Sequence, residues 1–290
     1  MCAVARPKYG PNQEIICDGK LGCWPFVMEV PAQRKSKNRC AGTLETKCIE
    51  SISKQVTKDM LINQVIPAIK AQWPSTCSKH ILIQQDNARP HINNKDADFR
   101  RAGTEDGWNI EFTHQPPNSP DLNVLDLGFF RAIQSLQQKK KSKVVKDLVD
   151  NTMKAFEELE VKKLNYVFIT LQACMLEIMK LKGGNDYPLP HMHKSKLAAA
   201  GLLPDYLNAD IEMVKDCVRY VQNVGDASSI SELVESLGSL GNSSEIGEAS
   251  CSNDPTGDIE PVGSLTEDYG VTNANGLTNV MQVEDDADHV

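Results

Sequence analysis

The sequence lacks three features that would each point to a particular class of protein. It has no run of apolar residues approaching the roughly 20 needed to cross a bilayer, and its start lacks the apolar core of a signal peptide. Its nine cysteines form neither a C-x-x-C pair nor a zinc-ribbon spacing. The sequence therefore predicts a protein that is neither membrane-spanning nor secreted, with its cysteines reduced.

Basic residues are absent from the C-terminal part of the chain. No Lys or Arg follows Tyr220, whereas 14 Asp and Glu residues do. All 31 basic residues therefore lie in residues 1–220, where 25 acidic residues leave a formal net charge of +6. A basic body is compatible with a polyanionic partner, although ordinary enzymes also carry a surplus of this size.

From about Gly225 the sequence is poor in large apolar residues and rich in Ser, Gly, Asn, Asp and Glu. Such a segment cannot bury enough surface to offset the entropy lost on ordering. We therefore expect residues 225–290 to form a disordered acidic tail, with residues 211–224 as a transition.

The preceding residues alternate between strand and helix patterns, which predicts the α/β class. Two apolar runs predict a hairpin at the start of the chain, since residues 7–13 between them, Pro-Lys-Tyr-Gly-Pro-Asn-Gln, contain the turn formers Pro, Gly and Asn. A helix is expected from Thr57, with Pro67 as a kink, and another with Ser119 as its N-cap. The remaining predicted elements are a strand ending at Asp86, a short polar helix over residues 93–102, a strand over residues 108–115, and helices over residues 144–160 and 163–181.

Two aspartates occupy positions that suit a metal site. Asp86 ends an apolar run of strand length, and Asp126 lies in the first turns of the helix after the next strand. Ligands of α/β proteins bind at the carboxyl ends of strands, so both carboxylates could meet at one sheet edge. Carboxylates in this arrangement hold the divalent ions used in phosphodiester chemistry. Spacing alone does not decide the matter, because acids also serve as simple polar residues at strand ends and helix starts.

The sequences around both aspartates resemble motifs of mariner-type DNA transposases. Residues 84–91, Gln-Gln-Asp-Asn-Ala-Arg-Pro-His, are similar to the strand-end motif that carries the second metal ligand of that family. Residues 115–126, from Gln-Pro-Pro to Val-Leu-Asp, resemble the loop and helix start that carry the third. The resemblance assigns Asp86 and Asp126 as catalytic metal ligands, whereas Asp121 belongs to the Ser-Pro-Asp-Leu signature. A gap of 39 residues ending in Asp is typical of the plant mariner-like branch.

The resemblance covers roughly residues 1–210 and has further implications. The fold that it implies is an α/β RNase H-like core of the retroviral integrase type, followed by C-terminal helices. The activity is metal-dependent cleavage and transfer of DNA strands, with Mg²⁺ or Mn²⁺ as cofactor. The implied partner is DNA and the implied compartment is the nucleus, while a homodimer is left open.

The sequence departs from the family pattern at its N-terminal end. The first catalytic aspartate of the family lies in an Asp-Glu-Lys-Trp segment on the first strand, and no such segment is present here. Asp18, which precedes Gly19, is a better turn former than ligand, and Glu29 belongs to the hairpin. We therefore expect residues 1–210 to form an N-terminally truncated catalytic domain that does not cleave DNA. It lacks the first strand, which lies at the middle of the sheet in this family, so we expect an unpaired strand edge there. A non-catalytic DNA- or protein-binding module and an incomplete version of a longer chain remain as alternatives.

Five further residues are candidates for nucleic-acid contacts. Arg89 and His91 follow Asp86 closely, and they could contact a phosphate, orient a ligand, or simply cap the next helix. The lysines at positions 139–141 could contact phosphate or serve in nuclear import, although a solvated helix end is the favoured interpretation. The residues in this second group are Lys139, Lys140 and Lys141.

Overall fold

Five strands form the main sheet of the computed structural model, which describes residues 1–37, 39–224 and 280–285. Two smaller strand pairs, β2 with β3 and β5 with β6, accompany it. Across the main sheet the order is β4 (Lys20–Cys23), β1 (Cys2–Ala5), β9 (Val280–Asp285), β7 (His80–Gln85) and β8 (Asn109–His114). The smaller pairs are β2 (Lys8–Tyr9) with β3 (Ile15–Cys17) and β5 (Val27–Pro31) with β6 (Leu44–Cys48).

The predicted N-terminal hairpin is present. β1 pairs antiparallel with β4, and β2 continues the same hairpin by pairing with β3. Gly19 adopts a positive φ of 75° at the bend before β4, where a Cβ would lie 2.1 Å from the Ala5 carbonyl oxygen. Only glycine fits there without strain. The run after Trp24 does not extend this hairpin, because β5 pairs with β6 in a separate one.

The helices after the hairpins begin close to the predicted positions. α1 (Lys54–Met60) starts at Ser53, whose hydroxyl accepts a hydrogen bond from the Val56 N–H, so the helix begins before the predicted Thr57. A π-helical turn, Leu61–Val65, joins it to α2 (Ile66–Gln72). Pro67 lies in the first turn of α2, and the wide π-helical turn before it accommodates its ring.

The remaining helices follow β7 and β8. The predicted helices at 144–160 and 163–181 are confirmed as α5 and α6, and the short polar helix is α3. Gly183 closes α6 with a positive φ and an N–H donated to the Ile178 carbonyl. The bounds are α3 (Ala97–Thr104), α4 (Phe130–Gln137), α5 (Val145–Glu158), α6 (Val161–Lys180), α7 (Lys194–Ala199) and α8 (Ile211–Val224). Single turns of other helix types occur at Glu105–Gly107, Pro120–Leu122 and Leu125–Phe129.

Two hydrophobic clusters cover opposite faces of the sheet. Successive strand residues point to opposite faces, and β1 accordingly gives Ala3 to one cluster and Val4 to the other. The first cluster includes residues of α1, α2 and α3, and the second includes residues of α4, α5 and α6. The sheet is therefore the middle layer of an α/β/α arrangement, as the sequence pattern predicts at the level of fold class.

The strand β9 occupies the position between β1 and β7, running parallel to β1 and antiparallel to β7. The sequence predicts an unpacked tail from about residue 225 and an unpaired central strand edge. The expected unpaired edge is wrong, since β9 supplies the missing partner for both strands. Residues 225–279 and 286–290 of the expected tail lie outside the described residues.

The chain divides into two units. The first contains Met1–Cys217 together with β9, and the second begins at Val218, within α8. Among the residues that the structure describes, no helix is both long enough and apolar enough to span a bilayer.

Candidate metal site

Asp86 and Asp126 lie at the same edge of the sheet. β7 and β8 are parallel, and their last residues, Gln85 and His114, are paired in register, so both strands end at one edge. Asp86 follows β7 directly. Asp126 lies in the π-helical turn after β8, in a segment that contacts β7 because the Gln84 amide donates to the Leu122 carbonyl at 2.8 Å.

The carboxylate of Asp86 is held by two neighbours within its own loop. Its Oδ1 lies 2.7 Å from Nε2 of His91 and accepts the Ala88 N–H at 2.9 Å. Partial burial of Asp86 raises its pKa, but the contacts with His91 and Ala88 together outweigh burial and leave the pKa lower than usual. Asp86 is therefore favoured in its ionised form, with 26% of its side chain exposed to solvent.

The carboxylate of Asp126 has the opposite tendency. The residue keeps an exposed face, yet protein atoms around its carboxylate raise its pKa by desolvation, and the charge of Asp86 raises it further. The charge of Asp86 therefore disfavours ionisation of Asp126 at this edge of the sheet. Asp126 Oδ2 accepts a hydrogen bond from the Asn123 amide at 3.0 Å, which fixes the side chain at the start of its helical segment.

A network of amide hydrogen bonds links the two acidic loops. Asn87 donates to the Gln115 carbonyl at 2.8 Å, and the Gln115 N–H donates to the Gln85 carbonyl at 2.9 Å. The Gln115 side chain then accepts from the Asn123 amide at 2.9 Å, and that same amide contacts Asp126. Because Gln115 and Asn123 are buried, these bonds hold the loop of Asp86 and the helix of Asp126 in a fixed relation.

The expected N-cap at Ser119 is wrong. The Ser119 hydroxyl donates to the Pro117 carbonyl, and no side-chain cap bond is made there. Asn123 performs this role instead, since its Oδ1 accepts the Leu125 N–H at 3.0 Å. An Asn shortly before an apolar helical run was the available signal in the sequence, but the Ser-Pro-Asp segment gave a stronger one.

Asp121 is engaged away from the pair of acids. Its carboxylate accepts a hydrogen bond from the Tyr187 hydroxyl, a contact that raises the pKa of Tyr187 after desolvation, the larger cause. That Asp121 is not a metal ligand stays a prediction. Nothing in the sequence indicated Tyr187, which lies 66 residues further along the chain.

The candidate nucleic-acid residues divide into buried and exposed ones. The His91 side chain is only 3% exposed and contacts Asp86, so of its three interpretations the geometry favours orientation of a carboxylate. Arg89, Lys139 and Lys141 are exposed. Lys140 forms an ion pair with Glu158 at 2.6 Å, which leaves it less free to contact a phosphate.

A third carboxylate does not join Asp86 and Asp126 within residues 1–37, 39–224 and 280–285, where no group of three metal-binding side chains occurs. Asp18 accepts the Lys20 N–H as a turn residue, and Glu29 accepts the Thr46 hydroxyl. The acidic end of β9 does not supply a third ligand either. Asp285 pairs with Ile81 at the start of β7, whereas Asp86 follows the other end of that strand.

No protein-family model, curated protein or solved structure matches this chain.

Proposed function

We propose that this chain is a remnant of a mariner-type transposase catalytic domain that binds a divalent cation through Asp86 and Asp126 but does not cleave DNA. One observation carries the proposal: Asp86 and Asp126 follow the shared end of β7 and β8, where the hydrogen bonds of Asn87, Gln115 and Asn123 link their loops. Desolvation, and after it the charge of Asp86, raises the pKa of Asp126 there. Two acids at one strand end, with the charge of one disfavouring ionisation of the other, are typical of a site that a cation completes.

The chemistry of the donors suits Mg²⁺ or Mn²⁺. Mg²⁺ binds through one or two carboxylates and keeps several waters, so Asp86 and Asp126 suffice as protein ligands. Both side chains reach solvent, which gives a hydrated ion access to them. A bound cation would relieve the repulsion that raises the pKa of Asp126, and the contact with His91 already holds Asp86 ionised. The ion would polarise a phosphate oxygen of a bound polynucleotide.

The pairing of the outer strands of the sheet supports the RNase H-like interpretation. β4 and β1 are antiparallel neighbours on one side, and β7 and β8 are parallel neighbours on the other. The central strand is the difference, since β9 comes from the C-terminal region and runs antiparallel to β7.

The presence of β9 at the centre of the sheet also supports the proposed absence of cleavage. In-line displacement at a phosphodiester uses two ions that stabilise the attacking and leaving oxygens together. A second ion needs a further carboxylate near Asp86, and β9 directs its acidic end to the opposite end of β7.

The test is Mn²⁺-dependent nicking of supercoiled plasmid by the full chain, beside Asp86→Asn and Asp121→Asn variants. We expect no nicking above background from any of the three proteins. Nicking that Asp86→Asn abolishes and Asp121→Asn preserves would contradict the claim of catalytic incompetence while supporting the assignment of Asp86 as a ligand.

DNA binding without chemistry is the second candidate function, and the exposed Arg89, Lys139 and Lys141 favour it. Fluorescence anisotropy with a labelled duplex at several salt concentrations tests it. We expect binding that weakens steeply with salt and weakens further in Lys139→Ala/Lys141→Ala. Lys162→Ala/Lys163→Ala is the matched control, because those lysines pair with Glu160. Equal affinities in both variants would argue against a contact at residues 139–141.

A further inference from the structure

Two buried cysteines face each other across the first hairpin. Cys2 on β1 and Cys23 on β4 are directly opposite in the antiparallel register, and their sulfur atoms are 3.0 Å apart. Both thiols are free and buried. They belong to the hydrophobic cluster that also contains Val124 and Leu125, immediately before Asp126.

The backbone around the pair suits a covalent bond. The neighbouring residues Met1 and Trp24 exchange two hydrogen bonds, from Met1 N to the Trp24 carbonyl and from Trp24 N to the Met1 carbonyl. The next pair along an antiparallel ladder is not hydrogen-bonded, so its Cα atoms are about 4.5 Å apart and its side chains are close. Disulfides span Cα separations of about 4.4–6.8 Å, which includes this value. Closing the bond therefore needs only an approach of the two sulfurs.

We propose that Cys2 and Cys23 are a modification site, at which a hydroperoxide converts the two thiols to an intramolecular disulfide that joins β1 to β4. The site is independent of the proposed metal site and of any activity on DNA.

The two thiols are chemically unequal, which defines the order of the steps. Cys2 donates a hydrogen bond to the sulfur of Cys23, and this bond is the main cause that lowers the pKa of Cys23. The thiolate of Cys23 attacks the hydroperoxide, forming a sulfenic acid at Cys23 and releasing an alcohol, or water from hydrogen peroxide. The sulfur of Cys2 then attacks the sulfenic sulfur, the S–S bond forms and water leaves. Two thiols have lost two electrons and two protons, and one peroxide bond has been reduced.

Tryptic digestion of the oxidised chain separates the relevant cysteines. Cleavage is blocked between Arg6 and Pro7, so Cys2 lies in the peptide of residues 1–8 and Cys23 in that of residues 21–34. Cys17, the nearest competitor in sequence, lies alone in the peptide of residues 9–20. The full chain is treated with limiting hydrogen peroxide, alkylated under denaturing conditions and digested without reductant. A parallel sample carries Cys40→Ser/Cys48→Ser, which removes exposed thiols and suppresses cross-linking between molecules.

The expected product is the 1–8/21–34 linked pair, two mass units lighter than the sum of its reduced peptides, and absent after dithiothreitol. We expect oxidation to raise the melting temperature by about 5 °C, because the bond constrains the unfolded chain. The Cys2→Ala variant should give neither the linked peptides nor the rise in melting temperature on oxidation. The proposal is overturned if both cysteines remain fully alkylated, or if Cys23 is recovered linked to Cys17 instead. Since the mapping uses the unsubstituted chain, it does not depend on the folding of the variant.

Discussion

At the scale of single residues, the two acids of the site have opposite effects on stability. His91 and Ala88 favour the ionised form of Asp86, whereas desolvation and the charge of Asp86 disfavour the ionised form of Asp126. Asp86→Asn should therefore lower the free energy of unfolding at pH 7 by about 1 kcal/mol, or roughly 2–4 °C in melting temperature. Asp126→Asn should leave the melting temperature unchanged or raise it. If Asp126→Asn lowered the melting temperature as much as Asp86→Asn does, the two acids would not have opposite effects on stability.

The pH dependence of these variants follows from the directions of the two pKa shifts. The lowered pKa of Asp86 gives stability that is present above the ordinary pKa of an aspartate and is lost as pH falls through the folded value. The raised pKa of Asp126 acts in reverse, because its contribution is present at low pH and is lost as pH rises through the folded value. Melting curves from pH 3 to pH 7 should show the deficit of Asp86→Asn and any gain of Asp126→Asn growing with pH. Effects that are equal at both ends of this range would exclude ionisation as their cause.

Asn123 is the residue on which the position of Asp126 most depends. Its side chain caps Leu125, bonds to Gln115 and contacts Asp126, and it is 1% exposed. Asn123→Ala removes all three bonds and leaves the Gln115 oxygen buried without that donor, so we expect a loss of about 2 kcal/mol. Urea unfolding measures this loss. Asn208→Ala, at an exposed position, is the control and should unfold like the unsubstituted chain.

At the scale of secondary structure elements, local patterns predicted some parts of the fold and could not predict others. The apolar run His80–Gln85 and the periodic stretches of α5 and α6 carry their signals within a few residues. The pairing of β5 with β6 and of β9 with β1 depends on residues that are distant in sequence, and period alone does not reveal a partner. The C-terminal strand was missed because its acidic, Lys-free surroundings indicate disorder on composition.

The position of β9 reverses one expectation about truncation. Composition predicts that the chain tolerates removal of everything after Gly225, whereas the sheet loses the strand between β1 and β7 in that case. A chain ending at Val224 should melt several degrees lower than the full chain, or aggregate through its unpaired strands. A chain ending at Asp285 keeps β9 and is the matched control. Equal melting temperatures and equal monodispersity of all three chains would show that β9 does not contribute to the sheet's stability.

At the scale of the whole molecule, the sequence predicted which two acids form the site but not which residues hold them in place. A strand-end aspartate and a helix-start aspartate are visible as patterns, and the motifs that resemble a transposase single them out. The amides of Gln115 and Asn123 and the contact of His91 with Asp86 depend on loops brought together by folding, so no local spacing predicts them. The proposed metal site is thus a tertiary arrangement around two residues that the sequence identifies.

Binding of Mn²⁺, followed by the loss of its free six-line electron paramagnetic resonance signal, tests the central claim most directly. The full chain should remove free Mn²⁺ with a dissociation constant between about 0.1 and 1 mM, typical of weak oxygen-ligand sites. Asp126→Asn, which is expected to fold at least as stably, should lose this binding, while Asp121→Asn, whose carboxylate faces Tyr187, should retain it. If Asp126→Asn binds Mn²⁺ as the unsubstituted chain does, or if the unsubstituted chain does not bind it, Asp86 and Asp126 do not form a metal site.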